Sequence, residues 1–409
     1  MMPKLKVGIM NFHFTNYNFG AVMVPYALST LLKKLGYQPE IINYIPNKFR
    51  THLINCPFEN FRNKYLVRTF LCKNENDLRE LNKHFDIFIA GSDQVWRWHD
   101  NYKYMFNWVF GNKTLLSYAA SFAKSYYECT YVEQMKIQAL LSRFDAISVR
   151  EKAGVDICKD LFNVNAEHVL DPTLLLDAED YEIIIDEELF ETTNRTTKYI
   201  AYMLLDSEQD KAIRQNELLA FLKSKYTFIN VLKDKFEQYN SVSKWLDYIK
   251  NCDYLITDSF HGCVFAIIFK KQFFCIQREV GGNHRIESLF NVLGIDHNRF
   301  YNNVIDISQH SFSTPIDYKK VYQKLEKERN KSKEFLIHSL SLKPTKKLYC
   351  LGEEKSAYFL KLIPLRIVKK RNTTYVRLFG KLPLIKIMDE ITAIKIYLFN
   401  FIPICKITS

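Results

Sequence analysis

Several short segments of this chain are apolar almost from end to end, and each runs straight into a polar turn and a helical period. Phe85 to Ala90 ends in Gly91-Ser92-Asp93. Tyr254-Leu255-Ile256-Thr257 ends in Asp258-Ser259-Phe260-His261-Gly262. Lys6 to Met10 leads through Asn11–Gly20 into a helical period over Ala21–Leu35. A strand that is half solvated alternates apolar and polar residues. A continuously apolar one must be covered on both faces, which parallel sheets with crossover helices achieve. The order strand, turn, helix then predicts α/β units.

Two series of such units are expected. The first adds strands near Ile41–Tyr44, Leu115–Ala119, Ala146–Val149 and His168–Leu170 and fills about residues 1–176. The second begins at Lys198–Leu204, continues through Tyr226–Val231, Tyr254–Thr257 and Gln272–Ile276, and closes with a charged helix over 316–340. The acidic, threonine-rich stretch 177–197 reads as the linker. The fold class is α/β: two Rossmann-like parallel-sheet domains facing a cleft, with a basic amphipathic C-terminal tail. Open parallel sheets bind ligands at the strand C-termini, so the turns there are the places to look for chemistry.

Charge distribution narrows the partners. The chain carries a net +12, but residues 341–409 hold 14 Lys and Arg against 4 acids. The body is close to neutral, which argues against a nucleic-acid-binding surface. Within the tail, Phe359–Ile367 is echoed by Leu378–Ile387 and Leu398–Ile407, with prolines at 364, 383 and 403. Apolar and aromatic residues interleaved with cations suit an anionic membrane surface; packing on the body or on another subunit is the alternative. The N-terminus offers no run long enough for a secretion signal, and nine cysteines without C-x-x-C spacing suit a reducing compartment. The expected location is cytoplasmic and peripheral, at the inner face of the membrane. No metal motif and no cofactor are expected.

Five turns could carry chemistry. His261 suits proton transfer near neutral pH, with Asp258 beside it and Ser259 and Gly262 at a helix start able to meet an anion. Arg150, at a strand end, suits bidentate binding of carboxylate or phosphate. Gly91, Ser92 and Asp93 form a small-residue turn open to a ligand, and Trp96 could stack on a sugar. Gly281-Gly282-Asn283-His284-Arg285 could hold a phosphate through Arg285. Asp171-Pro172 reads as turn chemistry. Each cluster also has a structural reading as a cap, ion pair or surface loop.

Together these clusters resemble one family. Asn16–Leu28, Gly91–Trp96, Ser117–Phe122, Ser148–Glu151, Asp171–Leu175 and Asp258–Gly262 occur in the order seen in polysaccharide pyruvyl transferases. Asn283 to Gly294 fits their N-x-R-x-x-x-L-x-x-x-L-G pattern. The resemblance implies a GT-B-like fold and phosphoenolpyruvate as donor substrate. It implies a glycan or lipid-linked oligosaccharide as acceptor, and His261 as general acid/base. It places Arg150, Ser259, His261, Gly262 and Arg285 on the donor, with His261, Arg150 and Asp258 in catalysis. Gly20, Gly91, Ser92, Asp93 and Trp96 are expected on the acceptor side. Two alternatives stay open: a GT-B glycosyltransferase using a nucleotide sugar, and a non-catalytic membrane-docked sugar-binding relative. Replacing Arg150 or His261 with alanine is expected to remove transfer and leave thermal unfolding nearly unchanged.

Overall fold

A computed structural model describes residues 5–46, 56–98, 101–188, 198–206, 210, 213, 222, 225–278, 282–344, 348 and six strands between 356 and 408. Most of the helix expected over Ser207–Ser224, and Gly281, lie outside the described residues.

The first sheet contains β1 (Lys6–Met10), β2 (Gln38–Ile41), β3 (Ile87–Ala90) and β4 (Thr114–Ser117) in the order β2-β1-β3-β4. All pairings are parallel, with Met10 opposite Ala90 and Ala90 opposite Ser117. Single bridges from Leu116 to Ala146 and from Ala120 to Val149 carry the layer on to β5 (Ser148–Val149) and β6 (Glu167–His168). Every residue of β3 and β4 is buried; β3 is apolar throughout, and β4 has Leu115 and Leu116 between Thr114 and Ser117.

Helix α1 (Phe19–Lys34) follows β1; the Asn18 side chain accepts from the Ala21 amide and caps it. The turn between them is clamped from helix α2 (Pro57–Tyr65). Fully buried Arg62 donates to the His13 carbonyl at 3.2 Å and to Asn16 Oδ1 at 2.7 Å, and pairs with Glu59 at 2.7 Å. His13 lies 3.1 Å from Asn43 Oδ1, and burial pushes its pKa down to about 4. Helix α3 (Tyr131–Leu141) carries a Thr130/Glu133 capping box.

Residues 178–188 correct the linker reading. They form helix α4 (Ala178–Glu188), whose Tyr181, Ile184 and Ile185 are buried in the main core. Their i, i+3, i+4 spacing is an apolar stripe among acids. The acidic composition masked it.

The second sheet runs β8 (Thr227–Asn230), β7 (Tyr199–Met203), β9 (Tyr254–Thr257), β10 (Gln272–Ile276) and β11 (Phe300–Tyr301), again all parallel. Around it pack α5 (Val242–Asn251), α6 (Phe260–Ile268) and α7 (Asn283–Leu293). All nine residues of α6 are buried. The expected α/β class with two parallel sheets is the observed one.

Helix α8 (Tyr318–Ser341) binds both halves. Tyr318 donates to the Ala266 carbonyl of the second half at 3.2 Å. Arg329 reaches the carbonyls of Leu174 and Leu176 and the Asp177 carboxylate, and Ser332 Oγ accepts from the Leu170 amide at 3.0 Å. Beyond it Leu348 forms an antiparallel bridge with Gly111 and is buried. Leu342, whose carbonyl accepts from Thr114 Oγ1, and Leu348 therefore pack on the body, although the sequence placed the tail's start at 341.

The tail's strands β12 (Ser356–Phe359), β13 (Ile363–Lys370), β14 (Thr373–Leu378), β15 (Leu382–Glu390), β16 (Ala393–Leu398) and β17 (Ile402–Thr408) form an antiparallel meander in sequence order. Pro364, Pro383 and Pro403 each take the second position of an alternate strand. The repeat of about twenty residues is thus one β-hairpin. Among the described residues no helix is long and apolar enough to cross a membrane.

Neutral, buried His13 sets a pH dependence. The unfolded chain takes up this proton near pH 6.5, the folded one only near about 4, so stability falls as pH drops through that window. The full effect is about 3 kcal/mol. His13→Gln should flatten this part of the curve in urea titrations between pH 7 and pH 4.

Candidate functional site

The C-terminal ends of the two sheets meet. Phe19, in the first turn of α1, stacks on Trp245 of α5 with centroids 4.7 Å apart and planes at 14°. Next to it, Gly20 lies under His261: a Cβ built on Gly20 would sit 2.0 Å from His261 Nδ1. Only glycine leaves room for the imidazole. Gly20 therefore positions the histidine; the sequence reading had placed it on the acceptor. Gly262 is constrained likewise, since a Cβ there would meet Thr257 Oγ1 at 2.3 Å.

Beside His261 lies a buried charge cluster. Arg150 donates from Nε to Glu151 Oε1 at 2.9 Å and from Nη1 to Asp171 Oδ2 at 3.0 Å. Ser92 Oγ donates to the same Asp171 oxygen at 3.0 Å, and Thr173 donates its amide and hydroxyl to the other, at 3.0 and 2.7 Å. Ser121 Oγ donates to Glu151 at 2.9 Å. His261 Nε2 stands 3.8 Å from Asp171 Oδ2, an electrostatic contact beyond hydrogen-bond reach. Phe260 lays its ring 4.6 Å from the Arg150 guanidinium. Burial alone would raise the Asp171 pKa, but His261, Arg150 and Thr173 outweigh it and hold the carboxyl well below the usual range. Burial likewise works against the Arg150 charge, and Glu151 and Asp171 overcome it.

Arg285, on α7, faces this cluster with a weaker set of partners. Among the described residues no carboxylate lies within ion-pair distance of it; its Nε donates to the Gly282 carbonyl at 3.3 Å. Burial and then the Arg150 charge push its pKa down to about 10. Two guanidiniums thus oppose each other across a small pocket that Asp171 and Phe260 also line. Three ring or guanidinium nitrogens here have no hydrogen-bond partner: Arg150 Nη2, His261 Nε2 and His284 Nε2. Burial lowers the His284 pKa. These unpartnered nitrogens, beside an Arg285 without a carboxylate partner among the described residues, have the chemistry to meet a small anion.

Other expectations are corrected. Trp96 cannot stack on a sugar: it is 0% exposed, packed against Phe122 and Phe144, and donates Nε1 to the Tyr104 carbonyl. Ser92 is wholly buried and its hydroxyl is committed to Asp171. Gly91 is buried too; a Cβ there would press on Ile9 and Asn11. Asp93 is buried as well, at φ 89°, with Oδ1 accepting from the Gln94 amide. Asp258 accepts from the Leu205 and Asp206 amides, both at 2.8 Å, so its carboxylate ties β9 to the end of β7. Burial raises its pKa. Ser259 caps α6 through the Gly262 amide.

Sequence reasoning passed over Asp171, since an aspartate before proline reads as a turn. The aspartate does make that turn, with one oxygen, while the other gathers Ser92 and Arg150. From the sequence, Glu151 is, with Asp258, a candidate for the acid that protonates the donor carbon, and His284 shows only as a neighbour of Arg285.

A family model for polysaccharide pyruvyl transferase matches residues 18–279, which span the charge cluster, Gly20 and His261. No curated protein matches the chain. Solved structures with a similar chain path include S. aureus MnaA with UDP, at 12% identity and TM-score 0.48, covering 86% of this chain and all of that one. Arabidopsis thaliana UGT89C1 aligns at 10% identity and TM-score 0.45, covering 83% of this chain and all of its own. Acinetobacter baumannii MurG aligns at 9% and 0.43, with the same coverages.

The expectation that Arg150→Ala spares folding does not survive the geometry. Removing the guanidinium leaves Asp171 and Glu151 as buried, uncompensated charges, a loss of about 3–5 kcal/mol. Chemical denaturation of Arg150→Ala should show a loss of that size.

Proposed function

Since this chain belongs to the polysaccharide pyruvyl transferase family, we propose that it moves the pyruvyl group of phosphoenolpyruvate onto two hydroxyls of one sugar. The acceptor is a cell-surface polysaccharide or its lipid-linked precursor. The supporting observation is the opposed pair Arg150 and Arg285, beside His261 and His284 nitrogens that lack partners. A compact donor with a carboxylate and a phosphate offers acceptor oxygens to these unpartnered nitrogens and to Arg285.

The chemistry divides as follows. A proton adds to the methylene carbon of the donor and leaves a methyl group, so C2 becomes electrophilic. The first sugar hydroxyl forms a bond to C2 and gives up its proton, replacing the one delivered to carbon. The second hydroxyl forms the second C–O bond as the C2–phosphate bond breaks. Its proton leaves with the phosphate. His261, at the mouth of the cluster and electrostatically supported by ionised Asp171, is the group suited to carry these protons. Arg285 and the free Nη2 of Arg150 would hold the carboxylate and phosphate and offset charge that develops as phosphate departs. Asp258 and Glu151, each already engaged by two donors, serve better as supports than as acids.

The tail would hold the enzyme at an anionic membrane surface, where lipid-linked acceptors are made. Eleven cations against four acids in residues 349–409 support this reading.

Incubation with labelled phosphoenolpyruvate and lipid-linked glycans tests the reaction: phosphate release should match label transferred as a ketal. His261→Ala should abolish both, and Arg285→Ala should raise the donor KM about tenfold or more, the loss of a charged hydrogen bond. Full activity of His261→Ala would remove the histidine from the mechanism. Truncation after residue 350 should release the protein from anionic vesicles while transfer to a water-soluble acceptor persists.

A further inference from the structure

The chain has four tryptophans, and three of them, Trp96, Trp108 and Trp245, are 0% exposed. Trp98 is 48% exposed. It follows the turn after β3, and Phe12 follows β1. These strands are neighbours, with Met10 opposite Ala90, so both rings emerge at the C-terminal edge of the first sheet. Their centroids are 6.1 Å apart at 50°. Phe12 is held edge-on against buried Tyr104 at 4.7 Å, and the Arg97 guanidinium lies 5.1 Å from the Trp98 ring. The indole is thus supported by neighbours while about half of it stays open.

Polar atoms nearby also lack partners. Asn11 directly precedes Phe12 and is 2% exposed, and its Oδ1 accepts no hydrogen bond. The Tyr104 hydroxyl, on a residue 2% exposed, has none either. Asn11 sits against Gly91, where a Cβ would come within 3.4 Å of its own. Buried polar atoms of this kind are ordinarily satisfied. Among the described residues these are not.

We propose that Trp98, supported by Phe12, is the platform for a pyranose ring of the acceptor glycan, with Asn11 and Tyr104 completing a subsite for its hydroxyls. This rests on the pyruvyl-transfer reading for the identity of the acceptor. A pyranose presents a flat C–H face rimmed by hydroxyls, and an open indole beside a few polar groups complements it. The platform stands at the edge of the first sheet, and Arg285 on α7 of the second half. A sugar seated there and an anion held there approach the cleft from opposite sides. Trp98 takes the role expected of Trp96: two positions further along the chain, it escapes the core that encloses its neighbour.

The full-length protein, titrated with methyl glucoside, galactoside, mannoside and their N-acetylated counterparts, gives a readout independent of turnover. At least one pyranoside should shift the tryptophan emission, and Trp98→Phe should abolish the shift. In transfer assays Trp98→Ala should raise the acceptor KM tenfold or more, with the phosphoenolpyruvate KM held within twofold, and Trp98→Phe should recover most of the loss. An emission shift without ketal formation keeps the subsite and sinks the pyruvyl-transfer reading. Ketal formation by Trp98→Ala with an unchanged acceptor KM keeps that reading and sinks the subsite. A Trp98→Ala protein that changes sedimentation while its acceptor KM stays fixed would mark the ring as a subunit contact and overturn the proposal.

Discussion

The ion pair between Arg150 and Asp171, buried with Glu151, organises everything around it. A guanidinium and two carboxylates taken out of water are tolerated only when each finds partners. Those partners come from separate parts of the chain. Ser92 follows β3, Ser121 follows β4, Arg150 and Glu151 follow β5, and Asp171 and Thr173 follow β6. Turns up to 79 residues apart are therefore fixed by a shared electrostatic requirement. His168 adds to this from beneath, its Nε2 3.1 Å from the Arg150 carbonyl.

The second half is joined to this cluster by contacts of a different kind. Phe260 covers the guanidinium, and His261 fits over Gly20. Phe19 stacks on Trp245, and α8 links carbonyls of residues 174–176 to the second half. These are ring and shape contacts and hydrogen bonds to backbone carbonyls, and they set the distance between the halves. Arg285 reaches the cluster from the far side carrying a charge that the described residues do not pair. One cation is thus neutralised internally, and the other has no carboxylate partner among the described residues.

Much of the architecture was legible in the sequence. Continuous apolar runs demanded parallel sheets, and β3, β4 and β7 are buried at every position. The histidine turn and the arginine turn were legible as strand-end chemistry, and the tail's proline spacing as a repeat. The hairpin behind that repeat was not, because composition carries no strand register. Helix α4 was hidden because acidic residues dominate its composition while three apolar ones decide its packing. The tail's boundary was misplaced because Leu348 is one buried residue beyond the helix end, and its partner Gly111 is remote in sequence.

By itself, the sequence determined the fold class, the family and the residue types at the strand ends. It did so because backbone hydrogen bonding and apolar burial act through local periodicity. Only the tertiary structure decided which of those residues are free to act. Ser92 and Asp258 have the chemistry of ligand contacts, yet their oxygens are spent on Asp171 and on backbone amides. Trp96 and Trp98 are the same side chain two residues apart, one enclosed and one open. Availability depends on what arrives from elsewhere in the chain, and long-range packing is what a local pattern does not encode.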